Sequence, residues 1–159
     1  MNPILTAVEV EDPAWTEALP DAEAVVERAA LAVFAHLAAA GMGGLEITVL
    51  LTDDAAVRAL NDKFRGKDQA TNVLSFPAPA FARPHLGDVA LAYGVCADEA
   101  KAQGKSLADH LSHLTVHGVL HLLDYDHEAD EEAEVMEQME RAILERLGVG
   151  DPYAQGPDA

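Results

Sequence analysis

The feature that most constrains this chain is the stretch His117-Gly118-Val119-Leu120-His121-Leu122-Leu123-Asp124-Tyr125-Asp126-His127. Its histidines fall at H-x3-H-x5-H. His117 and His121 are one helical turn apart, so both imidazoles leave the same face of a helix. His127 comes just past the expected helix end, where a returning chain can close a coordination sphere. Any fold for this sequence must therefore hold a helix and the turn after it in register. Three nitrogen donors with a fourth position open is the arrangement of a catalytic rather than a structural zinc site.

A chain of 159 residues suits one domain with its own core, with boundaries expected at 1–150 and a C-terminal tail over 151–159. The lone Cys96 cannot form an intrachain disulfide, which fits a reducing compartment, and it reads as a small buried hydrophobe. The most apolar region, Leu31 to Leu51, is interrupted by His36, glycines and Glu46, so no membrane span is expected. The N-terminus lacks a basic region followed by an apolar one, so no signal peptide is expected and the location reads as cytoplasmic.

The net charge of −18 argues globally against a nucleic-acid partner, because phosphates are held by lysine and arginine. The charge is uneven, however. Much of the acid lies between Asp124 and Glu145, whereas Arg58, Lys63, Arg65 and Lys67 make a local basic cluster. Screening beyond about 8 Å at physiological salt lets such a cluster act on an acidic protein.

In chain order, Ile4–Val10 is β-branched and reads as a strand, broken by Asp12-Pro13. Asp21 opens a helix through about Ala40, with one apolar stripe of Val25, Val26, Ala29, Ala30, Val33, Phe34 and Leu37. Leu45–Leu51 reads as an interior strand. Thr52-Asp53-Asp54 caps a short helix carrying Val57, Leu60 and Phe64. Strands follow at Asn72–Phe76 and Gly87–Ala92, separated by a proline-rich loop. A helix from Tyr93 to about Gln103 precedes a second, opened by the capping signature of Ser106 and Asp109 and carrying the histidines. The last helix spans about Asp130 to Leu147, with Val135, Met136, Met139, Ile143 and Leu147 facing inward and its acids solvated.

His110, His113, His117 and His121 line one face of their helix. Imidazoles clustered in this way gain little unless something binds them; His110 and His113 read either as groups that support the ligands or face the substrate, or equally well as solvated residues on a helix edge. The histidine spacing matches that of the H-E-x-x-H-x-x-G-x-x-H zinc proteases. The position of their general base is Gly118 here, so the ligand set is kept and the proteolytic machinery is missing. Arg65 lies between a helix and a strand with Lys63 and Lys67 beside it. Its planar fork suits bidentate phosphate contact; the alternative is a surface cluster offset by Asp62 and Asp68.

Five blocks occur in order: Asn61-x-x-Phe64-Arg65, Thr71-x-Val73-Leu74-Ser75-Phe76-Pro77, Leu86-Gly87-Asp88-Val89, the histidine stretch, and Leu147-Gly148-x-x-Asp151-Pro152-Tyr153. Together they resemble the bacterial YbeY family of endoribonucleases and rRNA maturation factors, over about Asn61 to Tyr153. The resemblance implies an α+β single-domain, metal-dependent hydrolase with a mixed four-stranded sheet flanked by about five or six helices. It implies one zinc ion held by His117, His121 and His127, and an important arginine at Arg65. It further implies cleavage of single-stranded RNA, with roles in 16S rRNA 3′-end maturation and ribosome quality control. Lys63 and Lys67 would guide the strand, and the partners would be rRNA, the small ribosomal subunit and ribosomal proteins. A non-catalytic ribosome-assembly factor with a structural zinc is the alternative. Two positions depart from the family pattern: Asp124 stands where glycine is usual, and Asn72 where aspartate is usual.

Overall fold

The computed structural model describes residues 4–37, 45–123 and 130–153. Strands β1 (Ile4–Val10), β2 (Leu45–Thr52), β3 (Val73–Pro77) and β4 (His85–Ala92) form one sheet in the order β1-β2-β4-β3. β1 runs parallel to β2 and β2 to β4, while β3 pairs antiparallel with β4. The helices among the described residues are α1 (Ala14–Ala18), α2 (Ala22–Leu37), α3 (Asp54–Arg65), α4 (Tyr93–Ala102), α5 (Leu107–Leu122) and α6 (Asp130–Arg146), with one 3-10 turn at Ala80–Ala82. This is the α+β architecture with a mixed four-stranded sheet that the resemblance implied.

The sheet separates two apolar layers because strand side chains alternate between faces. Ile47, Val49 and Leu51 of β2 and Val89 and Leu91 of β4 join a large core with residues of α2, α5 and α6. On the other face, Leu74, Ala90 and Ala92 meet Val57 and Leu60 of α3. α5 carries buried residues around most of its circumference, as a helix enclosed by neighbours must. It lies so close to the sheet that a Cβ on Gly118 would sit 2.8 Å from Val89 Cγ1 and 3.3 Å from Ser75 Oγ. At that contact the Ser75 hydroxyl donates to the Gly118 carbonyl at 3.0 Å.

Several sequence expectations shift. α1 was not expected. Pro13 marks its N-terminal boundary instead of merely ending a strand, and the Asp12 carboxylate accepts from the Ala14 amide at 2.9 Å. Its Trp15 is fully buried, and the indole N–H donates to the Thr52 carbonyl at 3.0 Å. α2 is described as far as Leu37, and the expected continuation to Ala40 and the glycine stop lie outside the described residues. On α6 the expected inward residue Val135 is 52% exposed, whereas Glu140, expected in solvent, is 0% exposed. The expected tail begins with residues that pack. Asp151 accepts from Arg141 Nε at 3.0 Å and from the Tyr153 amide at 2.8 Å, and the Arg141 guanidinium lies 5.4 Å from the Tyr153 ring centroid.

Candidate active site

α5 begins where the sequence places it: the Ser106 hydroxyl accepts from the Asp109 amide at 3.1 Å. From that cap, helical periodicity carries four histidines along one side, but they do not share one environment. His110 is 2% exposed, and its Nε2 lies 2.8 Å from Glu99 Oε1 of α4. Burial lowers its pKa, against the hydrogen bond and charge of Glu99, which raise it. Glu99 is also the acceptor for the Asn72 side-chain amide at 3.0 Å. The Asn72 side-chain amide thus has a specific donor role. The solvated-edge reading of His110 is corrected: the imidazole is buried against α4.

His113 and His117 turn towards Glu140 of α6. His113 Nε2 lies 2.8 Å and His117 Nδ1 3.3 Å from the same carboxylate oxygen, Oε1. The Tyr153 hydroxyl, 2.9 and 3.0 Å from the two Glu140 oxygens, donates to the carboxylate as well. Burial alone would raise the pKa of Glu140; the hydrogen bonds from His113 and His117 outweigh it and hold the group down at about 2. Burial followed by the Glu140 charge pushes the Tyr153 phenol upward, so it remains a donor.

The opposite ring nitrogen of His117 points at the next histidine. His117 Nε2 and His121 Nε2 are 3.1 Å apart, with ring centroids at 4.6 Å. Two nitrogens on a tetrahedral zinc with bonds of about 2.0–2.1 Å would lie about 3.3 Å apart, so this pair fits a shared ion. His127, together with Asp124, lies outside the described residues. Among the described residues a second group could also hold a metal: His113, His117 and Glu140, whose ligand atoms all lie within 4.8 Å of one another. The two groups share His117 and differ in which of its nitrogens would face the ion.

Of the basic residues, Arg65 is linked to the same helix through the sheet. α3 is capped at its start by Asp53, whose carboxylate accepts from the Ala56 amide at 2.7 Å, and ends on Gly66 in the left-handed region with φ 68°. Arg65 is the last residue of α3, and its Nη2 donates to the Ser75 carbonyl at 3.2 Å. Because the Ser75 hydroxyl bonds Gly118, Arg65 is tied through one residue of β3 to the turn of α5 that carries His117 and His121. Lys63 Nζ lies 5.1 Å from the centroid of the half-exposed Phe64 ring. The loop carrying Lys67 is pinned by buried Asn61, whose side chain donates to Gln69 O at 2.9 Å and whose carbonyl accepts from the Lys67 amide at 3.2 Å. Arg58 pairs with Asp68 at 2.6 Å on the surface and is committed there.

Sequence reasoning missed Glu140, Tyr153 and Ser75 as parts of this region. Glu140 carried a signal: it lies at helical spacing between Met136 and Ile143, inside the apolar stripe of α6. Gly118 also explains why no protease base stands beside His117. The position faces Val89 and Ser75 of the sheet, and a glutamate there would have no room.

Comparison with known proteins places the whole chain in context. Residues 10–148 match the family model described as Endoribonuclease YbeY. A protein of that name from Paramagnetospirillum magneticum is 53% identical over 158 residues, covering 94% of this chain and 95% of that relative. One from Chelativorans sp. is 55% identical over 135 residues, covering 82% of each, and one from Paracoccus denitrificans 46% identical over 165 residues, covering 96% and 92%. The solution structure of TM1509 from Thermotoga maritima superposes with a TM-score of 0.55 at 20% identity, covering 95% of this chain and all of that one. That likeness supports the fold. The family match spans most of the sequence and includes the helix and strand blocks that build the site, so the chain belongs to the YbeY family of endoribonucleases.

Proposed function

We propose that this protein is a zinc-dependent endoribonuclease acting on single-stranded RNA, with His117, His121 and His127 holding one zinc ion and Arg65 as the catalytic cation. The observation that carries the reading is the convergence on one turn of α5: His117 Nε2 and His121 Nε2 meet at 3.1 Å, and Arg65 is joined to that turn through Ser75. A zinc ion at these nitrogens would lower the pKa of a bound water towards about 7 and offset charge on a phosphodiester.

The chain's own groups do the rest. One Arg65 nitrogen is spent on the Ser75 carbonyl, which fixes the guanidinium and leaves its other donors for non-bridging phosphate oxygens. Lys63 and Lys67, on either side of Arg65 in the sequence, guide the strand. The absence of room for a carboxylate at Gly118 disfavours peptide hydrolysis. A phosphodiester needs charge neutralisation more than it needs that base. The names of the relatives support RNA as substrate. In the cell we propose 16S rRNA 3′-end maturation and ribosome quality control in the cytoplasm, with the small ribosomal subunit and ribosomal proteins as partners. Among the described residues no helix is long and apolar enough to cross a membrane.

The test is cleavage of matched single-stranded and duplex RNAs, with and without a chelator. Cleavage confined to the single strand and abolished by chelation is expected. Chelator-resistant cleavage, or none at all with one zinc bound per chain, would overturn the reading. Arg65→Ala is expected to keep its zinc and to lose cleavage by about 100-fold or more, the usual cost of removing one charge-stabilising donor. An unchanged rate would remove Arg65 from the catalytic group.

A further inference from the structure

The Asp151-Pro152-Tyr153 ending and the buried acid of α6 have no part in the chemistry above, yet they converge on its central histidine. We propose that Glu140, clamped by Tyr153 and His113, is a positioning residue that fixes the tautomer and ring orientation of His117, making the C-terminal turn a working part of the metal centre. The inference rests on the proposed metal site and says which residues organise it.

Geometry assigns the roles. Glu140 is 0% exposed, and its hydrogen-bond partners are His113 Nε2, His117 Nδ1 and the Tyr153 hydroxyl. An ionised carboxylate only accepts, so each of these groups donates to it. The His117 proton is thereby held on Nδ1, which leaves the Nε2 lone pair facing His121 Nε2 at 3.1 Å. A histidine that binds metal through one nitrogen commonly donates its other N–H to a carboxylate, which sets the ring and raises its basicity.

The same contacts argue against Glu140 and His113 as ligands. Both Glu140 oxygens lie within 3.0 Å of the Tyr153 hydroxyl, and Oε1 also takes His113 at 2.8 Å, so the carboxylate is already satisfied by the protein. Among the described residues none of its partners is a lysine or arginine. A buried carboxylate without a permanent cation beside it is costly, and a divalent ion on the far side of the His117 ring would supply the missing positive charge. The clamp is itself braced. Arg141 bonds Asp151 at 3.0 Å and covers the Tyr153 ring, while Asp151 accepts from the Tyr153 amide, so the last turn is held against α6.

The experiment compares zinc affinity by chelator competition in the parent chain, Glu140→Gln, Tyr153→Phe and His121→Ala. Cobalt-substituted absorption spectra and nitrogen-15 spectra of the histidine rings are recorded for each. Glu140→Gln is expected to bind one zinc at saturation with about 10- to 100-fold lower affinity. Its cobalt bands should stay near those of the parent, and the His117 ring should lose its fixed Nδ1–H form. Tyr153→Phe removes one hydroxyl, so it carries the test if Glu140→Gln fails to fold; it should shift affinity and the ring signal in the same direction by less. Parent-like affinity and ring signals in both variants overturn the proposal. So does a Glu140→Gln protein that takes up no metal, or whose cobalt bands change as on loss of a ligand. His121→Ala reports separately: full zinc retention there removes the proposed metal site itself, whatever Glu140 does.

Discussion

Single side chains in this protein are constrained by what lies on the far side of them. Gly118 is small because Val89 and Ser75 press on it, and that contact lets the Ser75 hydroxyl bond the helix backbone. Gly87 is constrained more severely. Its φ is +148°, outside the usual range of residues with a side chain, and a Cβ there would collide with the Phe76 carbonyl and come within 2.8 Å of Leu122 Cδ2. Gly87→Ala is therefore expected to destabilise by about 2 kcal/mol or more, combining backbone strain with overpacking, as read from urea midpoints. Asn72 is a third case. Its amide donates to Glu99 at 3.0 Å, so Asn72→Asp would set two carboxylates against each other. A loss of about 1 kcal/mol or more is expected, partly recovered by adding Glu99→Gln. Equal stability of Asn72→Asp and the parent would show that this pairing is incidental.

Among the elements, α5 is the organiser: it touches α2, α4, α6, β3 and β4. Its histidines are sorted by the neighbour each one meets, with His110 on α4, His113 on α6, and His117 both on α6 and beside His121. This sorting has a pH consequence. Burial depresses the pKa of His110, with Glu99 in opposition, so as pH falls below about 6.5 the unfolded chain takes up its proton before the folded one does. Stability should therefore fall with pH from about 6.5 downward, until His110 itself titrates in the folded protein. His110→Gln should show a shallower fall in urea midpoint between about pH 7 and pH 5 than the parent. An identical slope would mean that His110 does not contribute. Glu140 acts in a lower window. Its pKa is depressed to about 2, so its contribution is complete above the ordinary carboxylate range and is lost as pH falls towards that value.

The whole molecule combines a net charge of −18 with one basic edge around α3 and the loop after it. If Arg65, Lys63 and Lys67 make the phosphate contacts, RNA affinity should depend only modestly on salt. Three contacts to a single strand give a slope of about −2 in log K against log salt. A much steeper slope would demand cations beyond this cluster, and a flat one would remove phosphate contact as the source of affinity. The acid concentrated on α6 lies on an element that packs against α5 on the large-core face of the sheet, whereas α3 covers the other face. Screening then makes a local basic site workable on an acidic protein.

The elements were legible because local periodicity writes them. Val25 to Leu37 makes a helical stripe, Ile47 to Leu51 alternates, and Ser106 with Asp109 announces the start of the histidine helix. The i, i+4 spacing likewise places His117 and His121 together. What local spacing cannot express is partnership across elements. α1 is a single short turn without a stripe, held by a Trp15 contact to a residue far along the chain. Glu140 and Tyr153 gain their meaning from two histidines on another helix, and Asn72 from a glutamate on α4. The sequence by itself determined which residue types could bind a metal and a phosphate and which faces they would share. Only the tertiary structure decided which nitrogen of His117 faces His121, because that choice is made by a buried carboxylate brought in from another element.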